Sequence, residues 1–379
     1  MLTNDNRWVI GTTMRHCLDC GLHRKSNNIS PLFDQRRKRI FWTAYMLERS
    51  VARTVGRPYT VADREIDVAF PANIDDSLET DEEVTAAIAE SSADPDRITS
   101  LTAAIHIFQL QQLESRISKT VCRVDKPISS ISPHKIAKLR DAIDQWKANI
   151  PMVQDTGTED KPPYNTTDYH MIQYHKALLL LFLPFLPSFT PAHPEFRPVA
   201  YSAGQICQLY KRLHDNQSYI SFSLLALHST FVAGLVLVYC FCLDASLFDT
   251  RFSSDIRACS SMLYTISERW PAARKVRNAF ESLVAATVEA QHDDLSKDSP
   301  NPEYTPHPGN RPLQLEMGSF ISHSDDRTSG QRTTDRVWDS FETVLEDYQI
   351  NSETWMQDSI FLAMDAFPAE GWSTAGEIW

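Results

Sequence analysis

A stretch of about 22 residues, Phe222–Leu243, holds no Asp, Glu, Lys or Arg, and it constrains the fold more than any other feature of the chain. At ~1.5 Å per residue, a helix of this length reaches across the apolar core of a bilayer. A chain with such a segment either crosses a membrane or folds around it. Ser223, His228, Ser229 and Thr230 interrupt the stretch, and no cluster of Lys or Arg marks one end of it. Membrane orientation relies on such a cluster. The segment therefore reads as the fully buried helix of a large α-helical core. A chain of 379 residues, 42% of them apolar, is long enough to build that core. Met1–Gly11 lacks the apolar run of a signal peptide.

The remaining sequence supplies helices to surround this one. Residues 7–24 read as a helix ending near Gly21. Ile40, Phe41, Ala44, Leu47, Val51 and Val55 recur at helical spacing, and predict a helix over 34–56 stopped by Gly56 and Pro58. Ile98–Val124 reads as one long helix. Ser132-Pro133 starts another, with Ser as cap and Pro in the first turn, and Pro151 ends it. Residues 169–183, 200–214, 219–243, 254–269 and 272–290 complete the series. Alternating strand patterns bounded by hairpin turns are missing, and 11 glycines against 21 prolines leave little for phosphate-cradling loops. The expected fold class is all-α: a multi-helix body over 1–290, a disordered linker over 291–336 and an acidic tail over 337–379. Within the body, Asn73–Asp96 carries nine acids and no base, so 73–97 is expected to be a solvated acidic loop or insertion.

Charge is unevenly placed. The net charge of −12 falls to −3 when the nine acids of 337–379, a segment without Lys or Arg, are set aside. Neither the near-neutral body nor the acidic tail is a basic footprint for nucleic acid. Seven scattered cysteines fit a reducing compartment. Cys17-Leu18-Asp19-Cys20 is the one CxxC. It has no second pair for a metal and lies inside a helical pattern, so it reads as two helix residues. With no P-loop, Gly-x-Gly-x-x-Gly, His-Glu-x-x-His or Gly-x-Ser-x-Gly, no catalytic, cofactor or metal residue is expected in this chain, and it is not expected to be an enzyme.

Two features stand out. The first runs through Trp8, Gly11 and Arg15, then Gly21-Leu22-His23-Arg24, Arg36-Arg37-Lys38-Arg39-Ile40-Phe41-Trp42, Glu48-Arg49 and Gly56-Arg57-Pro58. Arg beside large rings packs its stem on apolar surface and stacks its guanidinium on a face. Glu48 and Arg49 are expected to join a buried ion-pair network with Arg37 or Arg57. These motifs, in this order, resemble the regulatory (middle homology) domain of fungal zinc-cluster transcription factors, of the fungal-specific or xylanolytic-activator type. Trp146 with Ile150-Pro151, Tyr174-His175, Pro184-Phe185-Leu186 and Arg269-Trp270-Pro271 extend the resemblance to about residue 290. Glu48 stands where the family usually has Asp, and Leu183 where it often has Arg.

The resemblance implies an all-α regulatory domain, a nuclear location and a role in RNA polymerase II transcription. The residues of the Arg–aromatic motif are expected to be structural. Arg36–Arg39 has a second reading as a nuclear-localisation patch. The family's six-cysteine zinc cluster, which binds DNA, has no counterpart in this sequence. The chain is accordingly expected to begin inside the domain, to lack zinc, and to reach DNA only through a missing module or a homo- or heterodimer partner. Whether a small-molecule effector acts on the domain is left open by the sequence. Alternatives are an interaction protein that sequesters a full-length relative, or an α-helical enzyme with dispersed catalytic residues.

The second feature is the tail. Trp338, Phe341, Leu345, Tyr348, Trp355, Phe361, Leu362, Phe367, Trp372 and Trp379 are interleaved with its nine acids. Acidic–hydrophobic alternation is the composition of an activation domain that docks on coactivators, often as a short helix. Trp338, Phe341 and Leu345 fall on one helical face.

Overall fold

The structure, a computed structural model, describes residues 4–297 apart from 55, 95, 124, 152–162, 217–222 and 248–249. Among them, ten α-helices and several 3-10 turns account for the regular structure, and there is no strand. The helices are α1 (Asn4–Asp19), α2 (Pro31–Thr54), α3 (Asp81–Ala93), α4 (Thr102–Val121), α5 (Pro133–Ala148), α6 (Thr167–Phe182), α7 (Phe196–Asp215), α8 (Leu224–Leu243), α9 (Thr250–Arg269) and α10 (Arg274–Lys297). The all-α expectation holds. Helix α10 runs past the boundary expected at 290. The tail and most of the linker lie outside the described residues.

Helix α8 is the uncharged stretch, and 89% of its most apolar window is buried. Ser223 caps it by accepting a hydrogen bond from the Ala226 amide. The polar side chains inside it are accommodated: Ser229 Oγ donates back to the Leu225 carbonyl at 2.7 Å. Helices α7, α9 and α10 pack against α8, and α6 packs on α7. Together α4 to α10 enclose the main core, which includes Ile172, Leu181, Phe196, Ala203, Val236, Met262 and Phe280.

The N-terminal third is a second layer. Helix α1 packs on α2, and α2 on α4. Both α1 and α2 end in the same way, on a glycine in the left-handed region: Gly21 at φ 65° and Gly56 at φ 59°. At the first, the Gly21 amide donates to the Leu18 carbonyl and the Leu22 amide to Cys17. At the second, Gly56 donates to Arg53 and Arg57 to Ala52. This paired closure satisfies the last helical carbonyls and requires a residue free of Cβ strain.

The acidic segment is not a loop. Residues 81–93 form α3, closed by a capping box. The Glu83 amide donates to Thr80 Oγ1 at 3.2 Å, and the Thr80 amide donates to Glu83 Oε2 at 3.1 Å. Its acids are used in the fold. Asp81 Oδ1 accepts the Leu32 amide at the start of α2 (2.9 Å), Arg39 is ion-paired with Asp76, and Arg97 with Glu90. Val84, Ile74 and Leu101 form a small core beneath α3. The nine acids masked a short apolar face that packs on α2.

Candidate functional site

The residues of the Arg–aromatic motif converge where α2 crosses α4. Adjacent positions and the turn that follows them in α2 place Phe41, Trp42 and Tyr45 inward, all fully or almost fully buried. Trp42 meets Phe41 edge-on with ring centroids 5.4 Å apart and Tyr45 at 5.0 Å, with Phe70 at 4.3 Å and Phe108 at 6.3 Å. Its indole N–H donates to the Ala69 carbonyl at 3.0 Å, which satisfies the one polar group of the ring.

One turn further along lies Arg49, with no exposure at all. Its guanidinium donates to Glu48 Oε2 at 2.8 Å, the Val61 carbonyl at 2.6 Å and Asp63 Oδ1 at 3.1 Å. It is sandwiched between the Tyr45 and Tyr59 rings, 4.3 and 4.2 Å from their centroids. The other Glu48 oxygen accepts the Thr60 amide at 2.8 Å. Asp63 also receives Tyr45 Oη at 2.8 Å, Ser115 Oγ at 2.7 Å and Lys119 Nζ at 2.7 Å. Burial alone would raise the Asp63 carboxyl, but the donors from Lys119, Ser115, Tyr45 and Arg49 outweigh it and hold its pKa at about 2. Burial also works against the Arg49 charge, and the neighbouring Tyr45 and Glu48 reverse the effect, leaving its pKa above the ordinary value. The Tyr45 phenol is pushed up by burial.

The network therefore forms as expected around Glu48 and Arg49, with different partners. Arg57 is exposed and contributes only its backbone amide, to the closure of α2. Arg37 donates instead to the Gly21 carbonyl at 3.0 Å and ties α2 to the end of α1. The partners that do converge, Asp63, Tyr45, Tyr59, Ser115 and Lys119, come from α2, the loop and 3-10 turn that follow it, and α4. Within the basic run, Lys38 pairs with Asp34 at 2.6 Å and Arg39 with Asp76, so the run is largely bound into the fold. Trp8, Gly11 and Arg15 lie on α1, where Arg15 is exposed. Leu22 packs against the aromatic cluster, the His23 carbonyl accepts the Asp67 and Val68 amides, and Arg24 pairs with Asp67 at 3.0 Å. Pro58 is exposed just beyond Gly56.

A second buried polar cluster joins α4, α5 and α6. Trp146 Nε1 donates to the His106 carbonyl at 2.9 Å, and the Trp146 and His106 rings stack at 4.4 Å, with His170 5.6 Å from His106. Burial, reinforced by His170, lowers the His106 pKa to about 4; burial also lowers that of His170. His175, one turn along α6, is brought to about 4 by burial and the Lys147 charge. These rings are neutral packing groups. Cys17 is buried and Cys20 exposed, both are free thiols, and no group of three or more His, Cys, Asp or Glu is placed to hold a metal among the described residues.

The buried network around Arg49 ties α2 to α4 and to the 3-10 turn at Asp63, and reads as a structural brace. Comparisons with known proteins add a likeness to a class. A family model described as the Fungal specific transcription factor domain matches residues 2–148, the class that the motifs resemble. The chain is 30% identical over 286 residues to an uncharacterized transcriptional regulatory protein of Saccharomyces cerevisiae, an alignment covering 68% of this chain and 20% of that protein. It is 23% identical over 305 residues to the positive regulator of purine utilization of Emericella nidulans, covering 67% and 28%. To the transcriptional activator protein acu-15 of Neurospora crassa it is 23% identical over 228 residues, covering 58% and 24%. The chain thus spans less than a third of the length of these relatives. No solved structure matches it. Trp338, Phe341, Leu345, Tyr348, Trp355, Phe361, Phe367 and Trp372, the expected activation residues, lie outside the described residues.

Proposed function

We propose that this chain is the regulatory and activating portion of a fungal transcription regulator that works in the nucleus. It acts without enzymatic turnover. The helical body is the regulatory unit, and the acidic, ring-bearing tail recruits coactivators. Contact with DNA falls to a zinc-cluster module that these 379 residues do not contain. The observation that carries this reading is the domain match over residues 2–148, and relatives named as transcriptional regulators and activators support it. The tail's role rests on its composition. Exposed rings offer apolar area to a coactivator groove, at about 25 cal/mol per Å² gross, while the acids hold the rings apart and speed encounter with a basic rim.

The test is a fusion of residues 337–379 to an unrelated DNA-binding domain. The fusion is expected to activate a reporter. Replacing Trp338, Phe341 and Leu345 by Ala is expected to lower the output by about tenfold, as loss of central anchors does at other interfaces. Neutralising any three acids is expected to cost less. A silent fusion, or equal losses from rings and acids, would contradict the proposal.

A further inference from the structure

Helices α2, α4, α6, α7 and α8 meet around a half-open cavity of about 80 Å³, several times the space that one water molecule needs. Its lining is mixed. Arg53, Glu114 and Lys176 contribute charge, and Leu180, Ile206 and Val232 are among the apolar residues. Two cations therefore face one carboxylate. Arg53 Nη1 and Glu114 Oε2 are 2.7 Å apart and neutralise each other, yet both atoms are buried without a well-directed hydrogen bond. Lys176 forms no ion pair with any described residue. Burial and the nearby Arg53 charge lower its pKa to about 8, with Glu114 acting in the opposite sense. Lys176 is half-buried and lines the half-open cavity, where an anion would find a positive charge that Glu114 offsets only in part.

We infer that this cavity is a binding site for a small carboxylate with a short apolar body, its carboxylate on Lys176 beside Arg53 and its body against Leu180, Ile206 and Val232. One unbalanced positive charge matches one negative charge. A dianion such as phosphate would set its second charge against Glu114, and a cation would meet Arg53 and Lys176. The lining joins α2 and α4, from the matched regulatory domain, to α6, α7 and α8 beyond it, so an occupant touches both layers of the body at once. The site stands independently of the proposed role in transcription.

The test uses the full 379-residue chain and titration calorimetry with the straight-chain series from acetate to octanoate, with hexan-1-ol and inorganic phosphate as comparisons. Hexanoate is expected to bind saturably, with affinity rising about fourfold per methylene until the cavity is full. Hexan-1-ol and phosphate are expected to bind at least tenfold more weakly. Lys176→Gln, which removes the charge at similar size, is expected to weaken hexanoate at least tenfold, while Lys176→Arg retains binding. Leu180→Trp, which fills the cavity with a bulkier ring, is expected to abolish binding with Lys176 still in place. The inference is overturned by absence of saturable binding across the series, by equal binding of hexan-1-ol and hexanoate, or by unchanged affinity in folded Lys176→Gln or Leu180→Trp protein.

Discussion

Replacing Arg49 by methionine is expected to destabilise the body by about 3–5 kcal/mol, the usual cost of breaking a buried ion pair from one side. The side chain is wholly buried, and Glu48, only 4% exposed, would keep a carboxylate with no counter-charge. The Val61 carbonyl and Asp63 would each lose a donor, and Tyr45 and Tyr59 would lose the cation between their rings. The cost lies in the orphaned partners rather than in the net strength of the pair. The double variant Glu48→Gln/Arg49→Met is therefore expected to recover part of the loss. Urea unfolding at pH 7 measures both. A loss under about 1 kcal/mol in the single variant would show that the brace is dispensable. Arg57→Ala is the internal comparison: the side chain is exposed, so its removal is expected to leave stability within about 0.5 kcal/mol of the parent.

Acid is expected to weaken the body well before its carboxylates protonate. His106 and His175 are nearly inaccessible, at 6% and 2% exposure, and burial brings each from the usual 6.5 to about 4. His170 moves in the same direction. Between pH 6.5 and 4, the unfolded chain takes up protons that the folded chain refuses. The stability these rings contribute is fully present above pH 6.5 and is lost as pH falls through the folded values. It amounts to about 3 kcal/mol for each of the first two rings. Asp63 adds a later step of the same sign. Its folded pKa of about 2 lies below the ordinary 3.8, so its contribution is present above pH 4 and lost on the way to pH 2. Urea midpoints measured from pH 7 to pH 4 are expected to fall with a slope of two to three protons taken up on unfolding near pH 5. His175→Gln is expected to reduce that slope by about one proton. A flat profile between pH 7 and 5 would contradict the buried, neutral assignment.

Local chemistry made much of this body legible. Gly21 and Gly56 mark helix ends because only a residue tolerant of positive φ closes them, and Ser132-Pro133 marks the start of α5. The uncharged stretch of α8 announced its burial. Helix α3 was hidden by its own acids, although Thr80 and Glu83 spell a capping box and Val84, Ala87 and Ile88 share a face. The partners of Arg49 were less accessible. Glu48 is its neighbour, but Asp63, Ser115 and Lys119 come from elements 14 or more residues away, and nothing in their spacing signals a shared site. The cavity at Lys176 depends on five helices meeting, which no single segment encodes.

The central claim is that these residues regulate transcription through the tail once brought to DNA. The most direct measurement tethers the full chain to an unrelated DNA-binding domain in a fungal cell and compares its reporter output with that of the same fusion lacking residues 337–379. The account predicts strong activation by the full chain and loss of it on deletion, with both proteins at equal abundance in the nucleus. Output no higher than that of the DNA-binding domain alone, or output unchanged by the deletion, would contradict it.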